Sequence, residues 1–215
     1  MPAAPSLVIF DLGRVLIRLC DGIEHACAVA GVTVPTGLPA LTDAEKARVE
    51  ELAGLVDSGR IDLATYAREI APLRRLQPGD VLKMQDIFLR GPFPGAADLL
   101  DELQAAGVKT ACLSNTHDHH WQQMLDPRGS NFLPLDRMTY RFASHLIGLR
   151  KPSDEIYEHV ERTTGLPPRS IVFFDDLPAN VDAAARRGWR AQHVTPCENP
   201  IPFLRTCLRE HGLLR

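Results

Sequence analysis

Short apolar runs recur along the chain at residues 7–10 (LVIF), 108–113, 141–143 and 171–174, and each reads as a buried strand. A further stretch, 189–194, alternates apolar and polar positions and reads as an edge strand. Helical patterns fall between them. Over 96–106 the apolar positions Leu99, Leu100 and Leu103 share one face, and Gly107 stands where a helix stops. A second helix spans 155–164, with Ser153 or Asp154 as its N-cap and Gly165 at its end. A third covers 179–187 before Gly188. Strand and helix alternating in this way predict an α/β fold, a doubly wound parallel sheet of Rossmann-like type with helices on both faces.

The stretch between the first and second strands is too long for a simple crossover. Thr42 and Glu45 form a capping-box pattern that opens a helix to about residue 56, stopped by Ser58-Gly59. Another helix starts at Ile61-Asp62 and runs to about 71, and a third covers about 80–89. Pro92, Pro94 and Gly95 mark the return to the sheet. The expected organisation is a core of residues 1–18 and 95–215, with a small helical cap of residues 19–94 inserted. A last helix is expected over about 202–211.

Composition narrows the function classes. The net charge of −3 gives no basic excess for nucleic acid or an anionic membrane surface. No apolar run approaches a membrane span. The cysteines, five in number and scattered without a CxxC pair, fit a reducing, cytoplasmic compartment.

The strand ends carry the chemistry. The first strand delivers Asp11, the second Ser114-Asn115-Thr116, the fourth Asp175-Asp176. Ligands of an open parallel sheet bind outside the carboxyl ends of its strands, so these polar clusters should converge there. Singly, each has an ordinary explanation: a turn former, a loop, a helix cap. Jointly and in this order they describe a site. Adjacent carboxylates with Asp11 beside them suit a hard, oxygen-liganded cation, most simply Mg²⁺. Ser114 and the backbone N–H groups near Asn115 suit an anion. Lys151, in RKPSDE, adds a cation from the other side. The natural guest is a small phosphorylated metabolite, with Asp11 as a nucleophile made competent by positive charge around it.

In order and spacing, FDLGRVL, CLSNT, RKP and FFDDLPAN resemble the four motifs of the haloacid dehalogenase superfamily, and the chain looks most like its helical-cap subgroup similar to bacterial glucose-1-phosphate phosphatases. The resemblance implies a Mg²⁺-dependent phosphatase acting on a sugar-type phosphomonoester. It makes Asp11 the nucleophile and Lys151 the group that orients nucleophile and phosphate. It assigns Mg²⁺ to Asp11, the Gly13 carbonyl and Asp176 with Asp175 assisting, and phosphate to Ser114, Asn115 and Lys151. Asn180 falls where many relatives carry another acid near the metal.

One position departs from that pattern. Most phosphatases of the superfamily carry a second aspartate two residues after the nucleophile, and this chain has Gly13. The carbonyl remains for a metal, but a proton-transfer group typically worth about 10²–10⁴ in rate is missing. A sugar 1-phosphate, whose hemiacetal leaving group is less basic, lessens the need. Otherwise His117, His119, His120 or the cap residue Asp21 is the expected substitute. The competing functions are a 2-haloacid dehalogenase, which requires neither metal nor that second acid, and a non-catalytic phosphate-binding relative.

Overall fold

The computed structural model describes residues 5–33 and 40–215. In chain order the elements are β1 (Leu7–Phe10), β2 (Ile17–Leu19), α1 (Gly22–Ala30), α2 (Asp43–Asp57), α3 (Leu63–Arg74), α4 (Pro78–Ile87), β3 (Leu89–Pro92), α5 (Ala96–Ala105), β4 (Thr110–Ser114), α6 (Asp118–Leu125), β5 (Tyr140–Ala143), α7 (Ser144–Ile147), α8 (Asp154–Thr164), β6 (Ile171–Asp175), α9 (Pro178–Arg186), β7 (Arg190–His193) and α10 (Ile201–Glu210).

Five strands form one parallel sheet in the order β5-β4-β1-β6-β7. Alternation along β1 explains the layers. Val8 and Phe10 face one way, packing with Leu99, Leu100 and Leu103 of α5 and Leu204 of α10. Leu7 and Ile9 face the other, packing with Ile156, Tyr157 and Val160 of α8 and Ala183 of α9. All four β1 side chains are fully buried, as a central parallel strand requires. The doubly wound α/β sheet expected from the apolar runs is the observed fold.

Element ends shift for local reasons. The strand expected from Val108 begins at Thr110, because Gly107 turns left-handed (φ +74°) and the Val108 N–H bonds back to Leu103 O at 2.9 Å. The helix expected over 80–89 ends at Ile87, since Leu89 peels off into β3, which pairs antiparallel with β2. This ribbon is absent from the sequence reading. It ties the start of the insert to its end.

Helices α1–α4 share a separate apolar cluster built on Cys27, Leu52, Ala67, Ile70, Val81 and Met84. The capping box at Thr42 forms as expected, with Thr42 Oγ1 accepting from the Glu45 N–H at 3.3 Å and Glu45 Oε2 accepting from the Thr42 N–H at 2.8 Å. Cys20, Cys27, Cys112 and Cys207 are buried thiols, and Cys197 is exposed. No helix of the described residues is long and apolar enough to cross a membrane.

Candidate active site

β1, β4 and β6 are adjacent and parallel, so their carboxyl ends lie side by side. Asp11 follows β1, Ser114 ends β4 and Asp175 ends β6. Lys151, in the loop after α7, points into this edge and is buried. Its Nζ donates to Asp11 Oδ1 at 2.8 Å and to Asp175 Oδ2 at 2.6 Å. Asp11, Asp175 and Asp176 each present a carboxylate oxygen within 4.8 Å of the others. The expected convergence of Asp11, Lys151, Asp175 and Asp176 is therefore a feature of the fold.

Electrostatics in this cluster is crowded. Burial raises the Asp11 carboxyl to about 7; Lys151 opposes the shift, and Asp175 and Asp176 add to it. Asp176 is also held above its ordinary range, first by burial and then by Asp175. Burial works against the Lys151 ammonium, but Asp11 and Asp175 outweigh it and hold its pKa high. One ammonium among three carboxylates leaves net negative charge in a desolvated place. The Gly13 carbonyl accepts no hydrogen bond among the described residues. An all-oxygen donor set with surplus negative charge and an unused carbonyl fits a hard divalent cation such as Mg²⁺.

The asparagines serve as supports. Asn115 clamps the backbone of Lys151 on both sides, Nδ2 donating to Lys151 O at 2.9 Å and Oδ1 accepting from Lys151 N–H at 2.9 Å. Its carboxamide is thus engaged with the lysine loop. Asn180 Nδ2 donates to both oxygens of Asp175, at 2.9 and 3.1 Å. Ser114 Oγ makes no hydrogen bond among the described residues and lines the cavity, so its hydroxyl is open to a guest. Arg14 pairs with Asp21 at 3.4 Å and approaches Asp176 at 3.8 Å.

A cavity of about 260 Å³ opens between this edge and helices α2–α4 of the insert. Leu12, Gly13, Ser114, Asn115 and Thr116 form its floor; Val56, Asp57, Tyr66, Gln85 and Phe88 come from the cap. At Gly13 the space is not empty. A β-carbon there would lie 3.0 Å from Leu19 Cδ1, so hydrocarbon from β2 stands beside the position of the missing acid.

His117 and His120 do not make good proton donors. His117 Nε2 engages Gln85 Oε1 at 3.2 Å and His120 Nε2 engages Gln85 O at 3.0 Å. Burial lowers their pKa values to about 2 and about 4, with His120 and His119 adding to the effect on His117. His119 pairs outward with Asp86 at 2.7 Å. Asp21 is exposed and lines a different cavity with Arg14, Arg18 and Arg90.

The sequence reading overlooked Asp57, the last residue of α2. A usable signal was present: an acid in the last turn opposes the helix dipole, an unfavourable placement that calls for a reason.

Residues 7–188 match the family model described as haloacid dehalogenase-like hydrolase. The chain is 25% identical over 198 residues to phosphatase MT3486 of Mycobacterium tuberculosis (strain CDC 1551 / Oshkosh), covering 88% of this chain and 87% of that protein. It is 32% identical over 91 residues to the GMP/IMP nucleotidase YrfG of Escherichia coli (strain K12), covering 42% of this chain and 39% of that protein. The chain spans less than half the length of the first curated relatives it matches. Among solved structures, one described as a predicted HAD-like family hydrolase from Porphyromonas gingivalis superposes with a TM-score of 0.75 at 25% identity, covering 96% of this chain and 99% of that one.

Proposed function

The chain belongs to the haloacid dehalogenase-like hydrolases, and from that premise we propose that it is a Mg²⁺-dependent phosphatase that cleaves a small phosphomonoester of sugar type through an aspartyl-phosphate on Asp11. The observation that carries this reading is the buried Asp11–Lys151–Asp175 contact with Asp176 beside it. A carboxylate repels a phosphate dianion, and the reading requires positive charge on both. Lys151 supplies one such charge at hydrogen-bond distance from the nucleophile. Asp11, Asp176, Asp175 and the Gly13 carbonyl would hold Mg²⁺, which, when bound, neutralises phosphate charge and fixes the phosphate for in-line attack.

The chain's own groups then have separable tasks. Asp11 attacks phosphorus, and the bond from phosphorus to the leaving oxygen breaks. Ser114 Oγ donates to a phosphate oxygen. Asn115 keeps the Lys151 backbone in place, and Asn180 fixes the rotamer of Asp175. The cap covers the leaving group, with Tyr66 and Phe88 offering faces on which a sugar ring can stack and Gln85 offering polar atoms to its hydroxyls. The division into a core of residues 1–18 and 95–215 and a cap of 19–94 belongs to the same proposal.

The test is a phosphate-release screen with Mg²⁺ over sugar phosphates, nucleotides and phosphoglycolate-type acids. Release is expected for at least one class, abolished by EDTA and by Asp11→Asn. Halide release from a 2-haloacid that survives EDTA would replace this reading with a dehalogenase. Tight phosphate binding without release, unchanged in Asp11→Asn, would replace it with a non-catalytic binder.

A further inference from the structure

We propose that Asp57, carried on the cap, donates the proton to the leaving oxygen that position 13 has no side chain to donate. The inference rests on the phosphatase reading above and deepens it.

Three observations carry it. Asp57 lines the same cavity as Gly13 and Ser114, on the cap side where a leaving group must lie once phosphate sits against Asp11. The other acids at this edge, Asp11, Asp175 and Asp176, are engaged with Lys151 or placed for a cation. His117 and His120 are bound to Gln85 and uncharged. Asp57 is therefore the carboxyl of this cavity that has no other task.

Its surroundings suit an acid that is protonated when substrate arrives. The side chain is 19% exposed, and its only side-chain partner among the described residues is Arg150, with Nε 3.4 Å from Oδ2. That contact is poorly directed: Arg150 Nε is buried and completes no hydrogen bond. Burial raises the Asp57 carboxyl to about 6, Arg150 opposing the shift. Around it stand Arg150, Tyr66 of α3, His145 of α7, His117 just before α6 and His120 within it. Burial lowers His145 as well, so Arg150 is the cation of this group near neutral pH. A carboxyl near 6 in a largely apolar cavity matches the requirement for a general acid.

The step balances. Asp11 Oδ bonds to phosphorus as the ester P–O bond breaks, and the Asp57 proton passes to the leaving oxygen, giving an alcohol. Asp57, now a carboxylate, takes a proton from water as that water attacks phosphorus and frees Asp11. The second step restores both carboxyl groups to their starting states.

The discriminating experiment compares two esters in the full-length protein with Mg²⁺. One is an alkyl phosphate with a basic leaving group; the other is p-nitrophenyl phosphate, whose leaving group needs no proton. Asp57→Asn should lower kcat for the alkyl ester by about 10²–10⁴-fold. It should leave the first-turnover release of p-nitrophenolate unchanged, followed by slow later turnovers because the water step lacks its base. With Asp11 kept ionised by the added Mg²⁺, the alkyl rate of the unmodified protein should fall as pH rises through about 6, where Asp57 loses its proton. That limb should vanish in the variant. Asp57→Ser, equally unable to titrate, should behave alike. Equal losses in the first-turnover release from both esters would reduce Asp57 to a structural role, and an unchanged alkyl rate would exclude it altogether; either overturns the proposal. Asp11→Asn keeps the two readings apart. If it still turns over either ester, the phosphatase reading itself has failed, whatever Asp57 does.

Discussion

Lys151 is the residue on which the site's charge balance turns. Its side chain is 1% exposed and bridges two carboxylates that otherwise repel each other. Removing one member of a buried ionic cluster costs about 3–5 kcal/mol, because the remaining charges keep their desolvation without a partner. Lys151→Met should therefore lower the free energy of unfolding by that amount in EDTA, measured by urea titration; a loss under 1 kcal/mol would show the carboxylates to be neutral. At this scale the sequence disclosed the clustered side chains and concealed their holders. Asp11, Lys151, Asp175 and Asp176 are legible because strand ends place them. The hydrogen bonds of Asn115 to a backbone 36 residues away are not, since no local pattern encodes a partner so distant. Leu19, whose side chain crowds position 13, was invisible because the turn over residues 12–17 that folds it back is not signalled locally.

Among the elements, α2 links cap and core through its end. Gly59, just past α2, has φ +69°, and a β-carbon there would stand 2.6 Å from the carbonyl oxygen of His145 in α7. Only glycine permits both the left-handed turn and this approach. Gly59→Ala should destabilise the protein by about 1–3 kcal/mol, as for residues forced into sparse backbone regions. It should also raise KM for the phosphate ester more than it lowers kcat, because it pushes the cap outward while leaving Asp11 and Lys151 in place. Denaturant titration and steady-state kinetics check the two parts. Helix α2 and its capping box were legible because their signals are local. The β2–β3 ribbon was not. Ile17–Leu19 is only 3 residues long, and Leu89–Pro92 contains glycine and proline, which argue against a strand when read alone.

Taken whole, the molecule has two sheet-facing cores and a third apolar cluster in the insert, joined across a polar seam. Gln85 of α4 bonds His117 through its side chain and His120 through its carbonyl. Ser144 Oγ donates to Asp57 O and accepts from the Thr116 N–H. His117 Nδ1 is already buried without a partner. Gln85→Leu would strip its other nitrogen too, at a cost of about 1–3 kcal/mol for an unsatisfied buried group. Chemical unfolding should show that loss; an unchanged midpoint would mean water enters the seam. Fold class was readable because the alternation of strand and helix extends over most of the chain, whereas this seam depends on how two separately packed units meet.

The loop at Arg150-Lys151 has a mechanical meaning. Neighbouring residues reach opposite ways, Arg150 toward Asp57 at the end of α2 and Lys151 toward Asp11, and the peptide joining them is planar. Movement of α2 is therefore expected to be felt one residue from the ammonium that holds Asp11.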